Sequence, residues 1–541
     1  MTLRNLEQSS ASNYWERRDS RFPLPISNHL WELLVPARHE GIRRGFERFG
    51  CAVEYFEFTR IRGRQYGRVQ YIENPEKLAE RRRIAEEVFA SKRWREDCAA
   101  WPAFRNSFRL RLIEFSHRDP RMLTAAELHQ TIVKLRALLT EGTVQHFVQQ
   151  PASMVPVGDW VRQTNEWTGV PTSEIIATLQ AFRSDCGTHP LVINDLAHAI
   201  QSNPDAVDIL KDPAACPKER LQRLRQLSGG IARRFDAYME EYADRIITGF
   251  DISDMTLREL PEVTLSIIAS RIDGPPLRSV DASRLQRIRD LVPPQKSQDF
   301  EDGLAETRTA YGLHDEDARI TYLWPLGLLR QAVLAAAERL VRDGKLRVAE
   351  DVFHTTPSEL DCLMAGGSSP SIAELSWRAE QWWSWANNEP PSSFGERPPC
   401  PDVETLGCAC ARITSAIMFY LAETENQGNC ATKSSLVVQG LAASPGCYQG
   451  RARIIRDPSD FAKLSPGDVL VARTTSPAYN VVMPTVGAIV TDRGGTLCHA
   501  AIIAREFNIP AVVGTNQATS QIPEGAHVLV DGTRGFVAVR T

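Results

Sequence analysis

From Leu30 onward the apolar positions fall three and four residues apart, the spacing that lays one buried stripe along a helix, and this continues for roughly 350 residues. Between Ala125 and Phe147 the stripe is Leu128, Ile132, Leu135, Leu138 and Leu139. Between Leu221 and Ile247 it is Leu224, Leu227, Ile231, Phe235 and Met239. Glu76 to Phe115 is charged and periodic, with an interruption near Pro102. A further apolar helix starts at Pro325, reaches Arg342 and has Gly344 just beyond its end. Ahead of these helices, residues 13–30 form an aromatic, proline-broken entry in which Tyr14, Trp15 and Phe22 read as core.

The helical pattern stops at Asn387-Asn388-Glu389-Pro390-Pro391-Ser392-Ser393 and again at Pro398-Pro399. Residues 387–435 therefore read as a linker or hinge, with one possible helix from Cys408 to Ala422. From Leu436 the pattern changes to short apolar runs separated by glycine and proline. They are Arg453–Ile455, Val469–Ala472, Ala488–Thr491, Val512–Gly514, Val528–Val530 and Phe536–Val539. The chain is thus expected to be multidomain, with a mostly α-helical N-terminal domain over 1–386 and a strand-rich C-terminal domain over 436–541.

Composition narrows the function classes. The 541 residues have ample length for two or three domains. Lysine plus arginine is 63 against 67 acids, a net charge of −4, which argues against a nucleic-acid partner. The 11 cysteines are scattered without a CxxC pair; Cys400, Cys408 and Cys410 lack a matching His/Cys set, so no metal site is expected. Such cysteine usage suits reduced thiols. Met1 to Gln8 contains no apolar core of a leader, and no uninterrupted apolar run would span a bilayer. These features predict a cytoplasmic protein with no membrane partner.

The chemistry concentrates late in the chain. Gly487-Ala488-Ile489-Val490-Thr491 reads as a buried strand, Gly494-Gly495 as a turn, and His499-Ala500-Ala501-Ile502-Ile503-Ala504-Arg505-Glu506 as a helix. Pro510 sets its end near Asn508. A histidine in the first turn of a helix sits among unpaired backbone N–H groups and the positive end of the dipole. A phosphoryl group on that imidazole could meet those N–H groups and the glycine backbone. The dipole contributes only ~0.3–1 kcal/mol, enough to orient such a group. The plain alternative is a histidine that merely caps a helix in a small α/β domain. Cys498 reads as a small spacer, Thr496 as a cap or a phosphoryl ligand, and Arg505 as a phosphate ligand or the anchor of its helix.

Gly494-Gly495-x-Leu497-Cys498-His499-Ala500-Ala501-Ile502-Ile503-Ala504-Arg505-Glu506, followed by Ile509-Pro510-Ala511-Val512-Val513-Gly514, resembles the swivelling phosphohistidine domain of the PEP-utilising enzymes. The flanks fit too: Ala443-Ser444-Pro445-Gly446 with Gly450, Gly467-Asp468-Val469-Leu470-Val471-Ala472, and Val530-Asp531-Gly532. The resemblance implies a C-terminal β/β/α swivelling domain with His499 as its tele-phosphohistidine. It also implies phosphate-binding roles for Gly494, Gly495, Thr496 and Arg505. Leu497 stands where PEP synthase and the dikinase usually carry threonine, as it does in rifampin phosphotransferase-like proteins.

A more diffuse likeness to the substrate-binding domain of those proteins runs through Trp15 with Phe22-Pro23-Leu24-Pro25, Tyr311-Gly312-Leu313-His314-Asp315-Glu316, and Ala349-Glu350-Asp351-Val352-Phe353. His314-Asp315 replaces the family's usual Arg-Glu pair. A substrate pocket is expected near Tyr311, with His314 as a base, and His146, His354 and Arg308 as further candidates. No GxxxxGK[ST] loop occurs, and Gly366-Gly367-Ser368-Ser369 reads as a plain loop. The layout resembles a split phenylphosphate synthase-type subunit. ATP (or PEP) and Mg would then be used through a separate ATP-grasp or PEP synthase-like nucleotide-binding subunit, with none bound tightly here. The phosphoryl acceptor would be a small organic hydroxyl substrate. Two other roles fit the same residues: phosphorylation-assisted dehydration or condensation, and a non-catalytic regulatory homologue.

Overall fold

The computed structural model describes residues 14–18, 21–181, 189–227, 230–273, 282–311, 313–388, 390–396, 406–425, 437–456, 458–476, 479–480, 482–483 and 485–540. The chain forms two compact units. One comprises Met1–Asp159, Phe250–Asp254 and Leu313–Met418; the other comprises Trp160–Gly249, Met255–Gly312 and Phe419–Thr541.

Helices dominate the first unit. Asn28–Phe49 opens on the Ser27 side chain, which accepts from the Leu30 N–H, and ends at Gly50 with a left-handed φ of 71°. Trp324–Arg342 carries Pro325 in its first turn and buries Leu326, Leu329, Val333, Ala336 and Leu340. By length and composition the stretch Arg319–Arg342 could cross a membrane, and 89% of its most apolar window is buried.

The largely helical run expected after Leu30 is interrupted by a sheet. Strands β1 (Trp15–Arg17), β2 (Val53–Ile61), β3 (Arg64–Tyr71) and β4 (Ser393–Phe394) pair antiparallel in the order β2-β3-β1-β4. The aromatic and β-branched residues Val53, Tyr55, Phe56, Phe58 and Thr59 favour a pleated surface over a helix. Arg62 and Gly63, at φ 46° and 69°, make the tight turn between β2 and β3. β4 falls inside the stretch expected to be a linker. It pairs Phe394 with Trp15, and these two close a small core with Ile61 and Tyr66.

The second unit joins helices to an eight-stranded sheet. Its strands are β5 (Val437–Gln439), β6 (Leu441–Ser444), β7 (Cys447–Ile455), β8 (Val469–Ala472), β9 (Ala488–Thr491), β10 (Ala511–Val513), β11 (His527–Asp531) and β12 (Phe536–Arg540), in the order β5-β12-β11-β7-β8-β9-β10-β6. β7, β8, β9 and β10 run parallel, and β6 closes the edge antiparallel. Alternation sorts the side chains by face. Val469, Val471, Ala488 and Val490 pack with Val528, Val530 and Ile522 on one side. Leu470, Ala472 and Ile489 pack on the other against Ala500, Ala501, Ile503 and Ala504 of the helix His499–Glu506.

That second core does not stop at the sheet domain. It continues through Leu196, Ile200, Leu224, Phe235, Tyr238 and Ile268, on helices between His189 and Asp273. The compact units therefore differ from the boundaries expected at 386 and 436. A continuous apolar cluster, rather than sequence order, groups part of the helical region with residues 419–541.

Gly487, at the start of β9, has the Tyr448 ring in the space a side chain would need: a Cβ would lie 2.0 Å from two ring atoms. The Tyr448 hydroxyl donates to the Gly467 carbonyl at 2.8 Å, so the ring is held there. Gly487→Ala is expected to destabilise the C-terminal domain by about 1–3 kcal/mol. Thermal unfolding of the whole chain would show a lowered transition; an unchanged melting profile would refute this reading.

Candidate functional site

Two loops meet because two strands are parallel. β8 and β9 pair from Val469↔Ala488 to Ala472↔Thr491, so the segments leaving their C-terminal ends emerge side by side. The Asp492 N–H donates to Ala472 at 3.1 Å and the Arg493 N–H to Arg473 at 2.9 Å. The Asp492 carboxylate is buried and accepts from Thr515 Oγ1 and the Thr519 N–H, both at 3.1 Å, which fixes the base of the turn. Gly494 then takes φ 111°, and a Cβ there would sit 2.6 Å from Cys498 Sγ. Only glycine fits that turn without displacing the start of the helix. Cys498 is the extended N-cap, and His499 is the first helical residue.

His499 is half-buried, and its Nδ1 lies 2.8 Å from the Thr475 hydroxyl. Thr475, only 4% exposed, belongs to the loop after β8. The adjacent Ser476 hydroxyl donates to the Ile247 carbonyl at 2.7 Å and pins that loop. A hydroxyl both donates and accepts, so the pair permits either imidazole tautomer. With the proton on Nδ1 donated to Thr475, Nε2 carries the lone pair of the ring.

Gly494, Gly495 and Thr496 lie in the turn before this histidine and Arg505 lies in its helix, where Arg505 takes the second of its two expected roles, the helix anchor. Arg505 is 1% exposed, and its guanidinium donates to the Ala443 carbonyl at 2.8 Å and also to the Thr496 carbonyl. It ties the helix back onto the glycine turn and onto β6, so its role is positioning. The Thr496 hydroxyl donates to the Glu423 carboxylate. The Leu497 N–H donates to the Glu423 carbonyl at 2.9 Å, and the Gly495 N–H reaches Thr424 at 3.4 Å. The C-terminal end of the helix Cys408–Glu425 thus occupies two N–H groups of the turn. Both N–H groups are therefore engaged within the chain. Cys498 is buried, and burial pushes its thiol pKa up, which fits a spacer rather than a nucleophile.

The other candidates are dispersed. His314 lies in the helix Leu313–Ala318, and its side chain is outside the described residues. Tyr311 follows the helix Ser297–Ala310 in the second unit, whereas His314 belongs to the first. His146 is buried, with Nδ1 3.0 Å from Asp317 and Nε2 3.0 Å from Gln150, a core polar network. Arg308 is half-buried, and burial lowers its pKa. His354 lines a cleft of the first unit, and burial lowers its pKa also. Trp15 and Phe22 are core. Among the described residues no three His, Cys, Asp or Glu side chains come together as a metal set.

Thr475 and Glu423 were missed from sequence. For Thr475 a signal existed: Thr474-Thr475-Ser476 directly follows the apolar run Val469–Ala472, and parallel strands bring such loops together at their C-terminal ends. Glu423 had none, because its contact depends on how a distant helix ends.

Residues 464–535 match the family model described as PEP-utilising enzyme, mobile domain, and residues 146–313 match the rifampicin phosphotransferase fourth domain. A rifampicin phosphotransferase of Streptomyces sp is 27% identical over 388 residues, 69% of this chain and 42% of that protein. An uncharacterised phosphotransferase, YvkC, of Bacillus subtilis is 24% identical over 99% of this chain and 63% of its own length. A probable phosphoenolpyruvate synthase of Pyrococcus abyssi is 48% identical over 105 residues, 19% of this chain and 13% of that protein. The chain spans less than half the length of the Streptomyces proteins it matches. A mobile domain of the PEP-utilising type is thus joined here to a domain of the rifampicin phosphotransferase type.

If Thr475 holds the Nδ1 proton, Thr475→Val should slow phosphorylation of His499 about threefold to tenfold, the worth of one neutral hydrogen bond. Thr475→Ser should recover most of the rate. Potassium phosphoramidate as donor allows the measurement on this chain alone, by mass spectrometry at high pH. A wild-type rate in Thr475→Val would show that the hydroxyl does not orient the ring.

Proposed function

We propose that this chain is a phosphotransferase component that carries a phosphoryl group on His499 Nε2 to a hydroxyl of a small organic substrate. The observation supporting this most directly is the 2.8 Å contact of His499 Nδ1 with Thr475, which, with the proton on Nδ1, leaves the Nε2 lone pair for phosphorus. The family models and the phosphotransferase names of the relatives agree with that chemistry.

Two displacements at phosphorus make up the cycle. In the first, the Nε2–P bond forms as the P–O bond to the donor's leaving group breaks, and the Nδ1 proton stays on the hydrogen bond to Thr475. In the second, the acceptor oxygen forms its bond to phosphorus, the Nε2–P bond breaks, and the acceptor's proton passes to a base, for which His314 is our assignment. A ring still protonated at Nδ1 leaves as neutral imidazole, so one hydrogen bond serves both steps. Such reactions depend on positioning and charge stabilisation more than on covalent assistance. ATP or PEP, with Mg, is assigned to a separate ATP-grasp-type partner in the cytoplasm. To meet donor and acceptor in turn, the mobile domain changes position, and the bonds from the glycine turn to Glu423 and Thr424 are among those that break.

Labelled ATP or PEP, supplied with such a partner, should give an acid-labile, base-stable adduct on the wild-type chain and none on His499→Ala. Label retained by His499→Ala would overturn the assignment.

A further inference from the structure

The helix Ile372–Asn387 carries Trp377, Trp382, Trp383 and Trp385, yet among its described side chains only Leu375 is buried. Tryptophans so placed are not core. Trp382 Nε1–H donates to the Pro25 carbonyl at 2.8 Å, and Trp385 rests against Gly63, so these two dock the helix with part of their surface. Trp377 is 57% exposed. It lines, with Trp382 and Trp385, a cleft of about 310 Å³ in the first unit, completed by Ile26, Arg60 and His354 among others. That volume suits a small molecule.

The two cations of the cleft differ. Arg378 is saturated: it donates to both Glu359 oxygens at 2.8 and 2.9 Å, to Glu374, and to the His354 carbonyl at 3.1 Å. Arg60 is half-buried and lies over the Trp31 ring, 5.3 Å from its centre. Its hydrogen bond is a long one, 3.4 Å to the Ile26 carbonyl, and no carboxylate among the described residues forms an ion pair with it. Burial penalises its charge, while Glu32 and Asp251 offset this from farther away. A half-buried guanidinium without an ion pair, in a cleft lined by three indole side chains, calls for an anion on a flat apolar body. His354 is held toward its neutral form by burial, so it brings a hydrogen bond rather than a second charge. The exposed Glu32 carboxylate at the cleft disfavours polyanions such as nucleotides.

We infer that this cleft binds a planar aromatic monoanion, an aryl carboxylate of about two fused rings, stacked on Trp377 and Trp382 with its carboxylate on Arg60. The inference does not depend on the phosphoryl-carrier reading of His499.

Isothermal titration of the whole chain with 2-naphthoate tests it, with 2-naphthamide as the neutral isostere and AMP as the polyanion. Saturable 2-naphthoate binding is expected, at least about tenfold tighter than 2-naphthamide. Arg60→Met should remove that preference while leaving 2-naphthamide binding unchanged. Trp377→Ala, at an exposed position that leaves the core intact, should weaken both ligands about fivefold or more. Absence of saturable binding up to millimolar 2-naphthoate overturns the inference. So does binding indifferent to Arg60→Met and Trp377→Ala, or AMP binding as tightly as 2-naphthoate through Arg60.

Discussion

The hydrogen bond between the Thr475 hydroxyl and His499 Nδ1 is the contact on which the proposed chemistry turns. An imidazole has two nitrogens, and a carrier must commit one of them to phosphorus. A carboxylate partner would commit the ring just as well, but it would also place a negative charge near the incoming phosphoryl group. A hydroxyl orients the ring and holds the proton without that repulsion. The rest of the domain serves to bring this threonine and this histidine together: parallel pairing of β8 and β9, the left-handed turn at Gly494, and the buried anchor of Asp492.

Arg505 shows how a motif residue can act through the backbone it holds. Its guanidinium is enclosed and aimed at carbonyl oxygens of the turn and of β6, so its charge contributes by fixing the backbone that presents His499. The contacts of Glu423 and Thr424 act on the same turn from the other side. The N–H groups of the glycine turn therefore have a partner in a helix end of their own chain and, under the proposed function, a second one in a phosphoryl group. Backbone donors left buried without a partner cost about 1–3 kcal/mol each, so such a turn gains by keeping one or the other in place.

The strand–turn–helix around His499 was legible because glycine, proline and apolar spacing all pointed to the same local structure. The six strand runs read from residues 453–539 each fall in or against an observed strand for the same reason. The β2–β3 hairpin was hidden because Glu54, Glu57, Arg60 and Arg64 interleave with its apolar residues and because the register shifts between Val53 and Tyr55, which breaks the alternation before Phe56 and Phe58. The grouping of helices between 189 and 273 with the sheet was not legible, since the shared core joins residues more than two hundred positions apart. Thr475 lay within reach of a topological rule, whereas the tryptophan cleft required knowing which face of the helix Ile372–Asn387 goes unburied.

The most direct measurement is a long-range ¹H–¹⁵N correlation spectrum of the His499 imidazole before and after phosphorylation, assigned by comparison with His499→Ala. The account predicts a ring protonated at Nδ1 with unprotonated Nε2 in the free chain, and a phosphorus coupling on Nε2 in the loaded one. A ring protonated at Nε2 in the free chain, or a phosphoryl group on Nδ1, would contradict it.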